Sequence, residues 1–263
     1  MDPRELRQTA LQLLRIADPV AKAAAVRALD AAALPVDAGA AIAEPPGLPG
    51  RPERPRLVPP KDVPTRSPFT REGRCALLHA IAHIEFNAIN LGLDAVWRFP
   101  GLPEAFYRDW WQVASEEALH FTLLREHLVS LDADYGHFDA HDGLWTMAQR
   151  TAHDLVARMA LVPRTLEARG LDATPPLQAK FAKAGDARAV EILDVILRDE
   201  IGHVAIGNRW YRFACDRDGL DPVALYPTLV ERYAAPKLRP PFNDAARRAA
   251  GFSDSEIAYL TKA

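Results

Sequence analysis

The chain has 263 residues, 49% of them hydrophobic and 25% charged, with a formal net charge of −3. That make-up fits a globular protein with room for one large domain or two small ones, and its even balance demands neither a nucleic acid nor a membrane as partner. Cys75 and Cys215 are far apart and form no CxxC, which argues against a disulfide framework or a cysteine zinc site. No apolar run reaches the ~18 residues of a membrane span and no leader pattern opens the chain, so the expected location is the cytoplasm.

Residues 1–43 read as a small helical segment. Leu6, Ala10, Leu13 and Leu14 make an apolar stripe, Asp18-Pro19 starts a second turn, and Ala21 to Ala33 favours helix. Residues 44–70, EPPGLPGRPERPRLVPPKDVPTRSPFT, change character. Proline this dense fixes φ and removes N–H donors, so the segment reads as an extended arm wrapped over helices. Arg51, Arg54, Arg56, Lys61 and Arg66 make it locally basic, and an arm that touches RNA is the lesser reading.

From Arg71 to Arg98 the pattern is continuous helix, stopped by Pro100, Gly101 and Pro103. A second helix runs from about Pro103 to Leu131. A third starts near Gly143 and reaches about Ala168, with Gly170 as its stop and Pro163 predicting a kink. The stretch LDATPPLQAKFAKAGDA reads as a connector with at most a short helix, and a fourth long helix covers about Ala187 to Cys215. The tail, 219–263, holds one or two short helices: Pro222 to Tyr233, and Asp254 to Thr261 capped by Ser253. No strand alternation of useful length occurs. The expected fold is all-α: a four-helix bundle over 71–218 between the proline-rich arm and a short helical tail.

Two Glu-x-x-His pairs, Glu117/His120 and Glu200/His203, lie in the second and fourth helices. Residues three apart share a helix face, so each pair points a carboxylate and an imidazole the same way. Random placement of eight histidines yields fewer than one such pair. Glu85 is the one carboxylate on an apolar stripe of Leu78, Ile81, Ala82, Ala88, Ile89, Gly92 and Val96, where an ionised group is costly unless it meets a cation. Each pair from one helix, with a lone carboxylate from each of two others, makes a two-metal carboxylate site. On the third helix the candidates are Asp154, nearer the middle, and Glu167, which reaches further. Carboxylates with imidazoles suit iron, then manganese or a mixed pair.

Glu116 and Asp199 each precede a motif Glu and could accept the second N–H of a ligating imidazole; solvated surface acids are the plainer reading. His127, two turns beyond His120, could line a pocket, or be a core histidine. His79 and His83 fall away from the Glu85 face and read as packed or hydrogen-bonded. His137, His141 and His153 read as solvated. Trp110, Trp111, Tyr107, Trp210 and Tyr211 read as packing aromatics.

The strings GRCALLHAIAHIEFNAINLGLDAVWRF, SEEALHFTLLREHL, ALVPRTLEARGLDATP and RDEIGHVAIGNRWY resemble the ferritin-like di-iron superfamily. The resemblance covers roughly Arg51 to Asp221 and is closest to a bacterial ferritin-like family of largely unassigned function. More distantly the chain is similar to the ferritin-like tRNA hydroxylase that acts on methylthio-isopentenyl-adenosine, which also has a Glu-Ala-Arg string in its third metal-bearing helix. That match implies Glu167 over Asp154 as the ligand beside Glu85, Glu117, His120, Glu200 and His203. The arm and tail have no counterpart in that hydroxylase, which counts against a tRNA substrate. The implied activity is a non-haem di-iron oxidoreductase that activates O₂ to hydroxylate or oxidise a small molecule or modified nucleoside, with electrons from an external donor. Iron handling as a ferroxidase, tRNA hydroxylation, and a metal-stabilised binding bundle without turnover are the alternatives.

Overall fold

The computed structural model describes residues 5–262. Among them the protein is all-α: no β-strand occurs, and one isolated parallel bridge joins Leu57 to Ala140. No helix among the described residues is long and apolar enough to cross a membrane. Two compact units divide the chain, the first ending at Gly143 and the second beginning at Leu144.

The first unit is built on a helical hairpin, α3 (Arg71–Arg98) and α4 (Glu104–Ser130). The Thr70 side chain caps α3 by accepting from Gly73 N at 3.1 Å. Pro100 and Pro103 stop one helix and admit the next, so the pair is antiparallel with a short connection. From Leu91 to Trp97 every residue of α3 is buried, as befits a helix enclosed on all sides. Phe86, Trp97, Phe106, Tyr107, Trp110 and Phe121 fill the interior, each contributing about 1.5–3 kcal/mol by leaving water.

Two shorter helices cover the hairpin: α1 (Leu6–Leu14) on α3 and α2 (Pro19–Ala28) on α4. The expected helix to Ala33 instead ends at Ala28, and a separate 3₁₀ turn spans Ala31–Ala33. Two buried cations tie this cover down. Arg7 donates to the carbonyls of Asp37, Ala38, Ala40 and Trp97 at 2.8–3.2 Å. Lys22 Nζ donates to Leu14 O, Gly50 O and Asn90 Oδ1 at 2.5–3.1 Å. Burial first, then the Arg51 charge, pushes Lys22 down to about 7, while three convergent acceptors match the three donors of an ammonium.

The proline-rich segment is an arm as expected, irregular except for a 3₁₀ turn at Pro60–Asp62. Three of its four arginines are held by acids of the same unit: Arg51 by Asp142, Arg56 by Asp139 and Arg66 by Glu72.

The second unit departs further from the sequence reading. The single third helix expected over 143–168 is three pieces: α5 (Gly143–Arg150), α6 (Leu155–Leu161) and a π-helix, Val162–Glu167. The break before α6 is made by Asp154, whose side chain accepts from Ala157 N at 2.8 Å and caps the new helix. Gly170 is no stop. It lies inside α7 (Arg169–Lys183), which occupies the expected connector despite Pro175 and Pro176. Pro175 cannot donate to Leu171 O, and the Asn243 amide does so instead at 3.2 Å.

After a short turn α8 (Ala187–Asp218) runs back along α7, capped by Asp186, and continues three residues beyond the expected Cys215. Gly219 ends it at φ 68, with Leu220 N donating to Cys215 O, a C-terminal turn that glycine adopts without strain. The tail forms α9 (Pro222–Arg232), an unanticipated α10 (Asp244–Ala249) and α11 (Asp254–Lys262). Ser253 caps α11 reciprocally: its hydroxyl accepts from Glu256 N, and its own N–H donates to the Glu256 carboxylate.

Candidate metal centre

Hairpin register decides which side chains of the first unit meet. Glu85 lies 13 residues before the end of α3, and Glu117 lies 13 residues after the start of α4. At 1.5 Å per residue both sit about 20 Å from the turn, on facing helices at one level. His120 follows Glu117 by three residues on the same face. Glu85, Glu117 and His120 accordingly converge, each offering an oxygen or nitrogen within 4.8 Å of the others. His120 Nδ1 stands 3.3 Å from Glu85 Oε2 and 3.3 Å from Glu117 Oε2. The three residues are 3%, 1% and 0% exposed, so no bulk water neutralises them.

Two carboxylates and an imidazole sealed from water form an electrostatically frustrated group. Burial first, and the neighbouring Glu117 second, push Glu85 well above the ordinary carboxylate range, against the pull of His120. The three donor atoms converge and are acceptor-capable once protons leave, which fits a divalent cation of intermediate hardness.

The second unit carries Glu167, Glu200 and His203, all buried. Glu200 Oε1 lies 3.9 Å from His203 Nδ1 on one face of α8. The α7–α8 hairpin repeats the register of the first: a Cβ on Gly170 would lie 3.9 Å from the Glu200 carboxyl carbon. Glu167 is one turn earlier and closes the π-helix; it belongs to no close group of three potential ligands among the described residues. Asp154, the other candidate, is occupied elsewhere, capping α6 and accepting from the Tyr233 hydroxyl at 3.0 Å.

The flanking acids have partners on their own helices. Glu116 accepts from the Gln112 amide at 3.0 Å, and Asp199 from Arg198 at 2.8 Å. His127 is 9% exposed, with the Ser130 hydroxyl 3.3 Å from Nδ1. His79 and His83 are hydrogen-bonded core histidines. His79 Nε2 accepts from Gly136 N at 2.9 Å; His83 Nδ1 faces the Tyr135 hydroxyl at 2.8 Å, and its Nε2 lies 3.1 Å from His141 O. Burial is the leading cause that lowers both, to about 4 and about 3. Trp110, Trp111, Tyr107, Trp210 and Tyr211 are all buried, as packing aromatics should be.

Sequence reading missed Arg164. Its guanidinium is 3% exposed, donates to Asn208 Oδ1 at 2.6 Å and to Glu256 Oε1 at 2.7 Å, and stacks on Tyr211, Tyr226 and Phe252. It ties the π-helix to the tail. The one hint was an arginine within the apolar run ALVPRTL.

A family model described as protein of unknown function (DUF455) matches residues 15–258. An uncharacterised protein of Haemophilus influenzae is 56% identical over 216 residues, covering 80% of this chain and 75% of that protein. No solved structure matches the chain.

Proposed function

The chain belongs to this family of proteins of unknown function (DUF455), and from its own residues we propose that it is a ferritin-like di-iron oxidoreductase using O₂ on a small organic substrate. The observation that carries the reading is the buried convergence of Glu85, Glu117 and His120, three groups whose burial together is costly without a cation. The second Glu-x-x-His pair on α8 supports it, because two such pairs with lone carboxylates are the ligand types of carboxylate-bridged metal pairs. In this proposal the ligands are Glu85, Glu117, His120, Glu167, Glu200 and His203.

Two iron ions, or manganese in place of one or both, would supply the electron-transfer chemistry with O₂ when bound. The chain's part is to bind and to shield. The carboxylates provide negative charge that balances the cations. His120 turns Nδ1 toward the carboxylate oxygens, so ligation through that nitrogen needs the proton on Nε2. The proton held by the raised Glu85 leaves when a cation takes its place. Burial keeps water from competing for the remaining positions. Electrons come from a separate donor. Three of the arm's four arginines, Arg51, Arg56 and Arg66, are engaged by Asp142, Asp139 and Glu72, which favours a small molecule over nucleic acid as substrate.

The test is a metal count on anaerobically purified protein, then ferrous iron, reductant and O₂. Two irons per chain with rapid O₂ consumption at sub-stoichiometric iron release supports the oxidoreductase. Many irons stored per chain would point to iron handling, and no bound metal under any loading condition would end the reading.

A further inference from the structure

The helix that carries Glu167 changes its winding just before that residue. From Val162 to Glu167 the backbone is a π-helix. Pro163 starts it, because a proline has no N–H to continue the preceding ladder. The wide turn is then closed by bonds that reach five residues back: Ala168 N donates to Pro163 O at 3.1 Å, and the Thr165 hydroxyl donates to Ala160 O at 2.8 Å. Thr165 has one hydroxyl proton, and the carbonyl takes it. The Tyr226 hydroxyl, 2.8 Å from Thr165 Oγ1, is therefore the donor to Thr165. This chain of two hydroxyls ending on a carbonyl is sealed: Thr165 is 1% exposed and Tyr226 7%. A π turn takes in one residue more than an α turn, so a side chain beyond it is re-aimed by about 100° relative to an unbroken helix.

We propose that Thr165 and Tyr226 are positioning residues that hold the π-helix open and thereby set the direction of the Glu167 carboxylate. The inference rests on the reading of Glu167 as a metal ligand. Its consequence is that the tail belongs to the frame of the metal centre: Tyr226 comes from α9, and its hydroxyl reaches the π-helix through Thr165 while its ring lies under Arg164. Loss of either hydroxyl leaves a buried polar atom without its partner, which an unbroken α-helical turn would relieve at the cost of swinging Glu167.

Cobalt(II) is the probe, since its visible bands report the number and arrangement of ligands. Wild type, Thr165→Val, Thr165→Ser and Tyr226→Phe are titrated with cobalt alone, and near-ultraviolet circular dichroism and thermal midpoints report folding. Thr165→Val and Tyr226→Phe are expected to fold, to shift the cobalt bands and to weaken at least one cobalt equivalent by about tenfold or more, the usual effect of losing support behind a ligand. Thr165→Ser, which keeps the hydroxyl, is expected to restore the wild-type spectrum. Wild-type bands and affinity in both Thr165→Val and Tyr226→Phe overturn the proposal, as does a Thr165→Ser spectrum as altered as that of Thr165→Val. Failure of the wild type itself to take up cobalt refutes the metal reading and this inference with it, whereas wild-type uptake with unresponsive variants refutes the positioning role alone.

Discussion

A Cβ placed on Gly207 would stand 2.6 Å from the Cβ of Pro163, inside the contact distance of two carbons. Gly207 is one turn beyond His203 on α8, and Pro163 is one turn before Glu167 on the π-helix. This close approach therefore lies one turn from two candidate ligands, His203 and Glu167. Gly207→Ala forces Pro163 away, and neither a proline ring nor a helix backbone yields cheaply. The expected cost is about 1–3 kcal/mol in a denaturant titration, with weaker metal binding. A variant whose unfolding midpoint stays within error of wild type would show that the gap closes without strain.

The hairpin α3–α4 could be read from sequence because its signals are local: a capping threonine, continuous periodicity, then Pro100, Gly101 and Pro103. The same local rules misplaced α7. Pro175 and Pro176 argue against helix until Asn243, 72 residues beyond Leu171, supplies the donor that the proline lacks. The π-helix was legible only as a kink at Pro163, since the hydroxyl that closes it answers to Tyr226, 61 residues on. For the candidate site, spacing by three and hairpin register make Glu85, Glu117 and His120 legible. Arg164 was not, because its carboxylate partner is 92 residues distant.

Glu85 makes one contribution to the pH response of the metal-free protein, opposite in sign to those of the lowered Lys22, His79 and His83. Its folded value is raised, so between the ordinary carboxylate range and that raised value the folded chain binds a proton the unfolded chain has released. Its contribution to stability is present at low pH and is lost as pH climbs through that window. Glu85→Gln, neutral throughout, is expected to lack that fall across the window and to be more stable than wild type at neutral pH without metal. With metal the order reverses, because the cation needs the carboxylate: wild type gains thermal stability on adding ferrous or manganous ion, and Glu85→Gln gains little. Parallel pH profiles for the two metal-free proteins would refute the argument.

Glu117→Ala and His203→Ala remove one proposed ligand from each unit. Each variant is expected to lose at least one equivalent of bound metal in an elemental analysis, and to lose most of the thermal shift that metal gives the wild type. Unchanged metal content in both would reject the ligand set, whatever the activity.

The Arg164–Glu256 pair tests how the tail is held. Both side chains are nearly inaccessible, and the nearby Arg164 charge and bonds from Ser253 draw Glu256 below the ordinary carboxylate range despite its burial. Arg212 also reaches Glu256 at 3.1 Å, so Arg164→Met leaves that carboxylate partly paired, whereas Glu256→Met leaves the buried Arg164 without its carboxylate and is expected to cost about 3 kcal/mol or more. The double variant Arg164→Met with Glu256→Met places two apolar chains among Tyr211, Tyr226 and Phe252 and is expected to cost less than Glu256→Met alone. Additive losses in the double-variant cycle would mean that the two residues act independently.

Arg7 and Arg56 offer a contrast between a buried cation and an exposed one within the first unit. Arg56 makes two bonds to Asp139, yet its side chain is 72% exposed, and water replaces the partner when the pair is cut. Arg56→Ala is expected to leave the denaturation midpoint unmoved. Arg7 is 0% exposed, and its guanidinium is the donor shared by the carbonyls of Asp37, Ala38, Ala40 and Trp97. Gly101 N also donates to Ala38 O at 2.7 Å, and the last of the four carbonyls lies at the C-terminal end of α3, where a cation is favoured. Arg7→Met keeps the length of the stem and removes the donors, so four carbonyls in a closed space lose a common partner. The expected loss is on the order of 3–4 kcal/mol, with faster amide exchange across 37–40 than across α4. A loss no larger than that of Arg56→Ala would mean that water reaches those carbonyls, and that the loop at 37–40 is held by something other than Arg7.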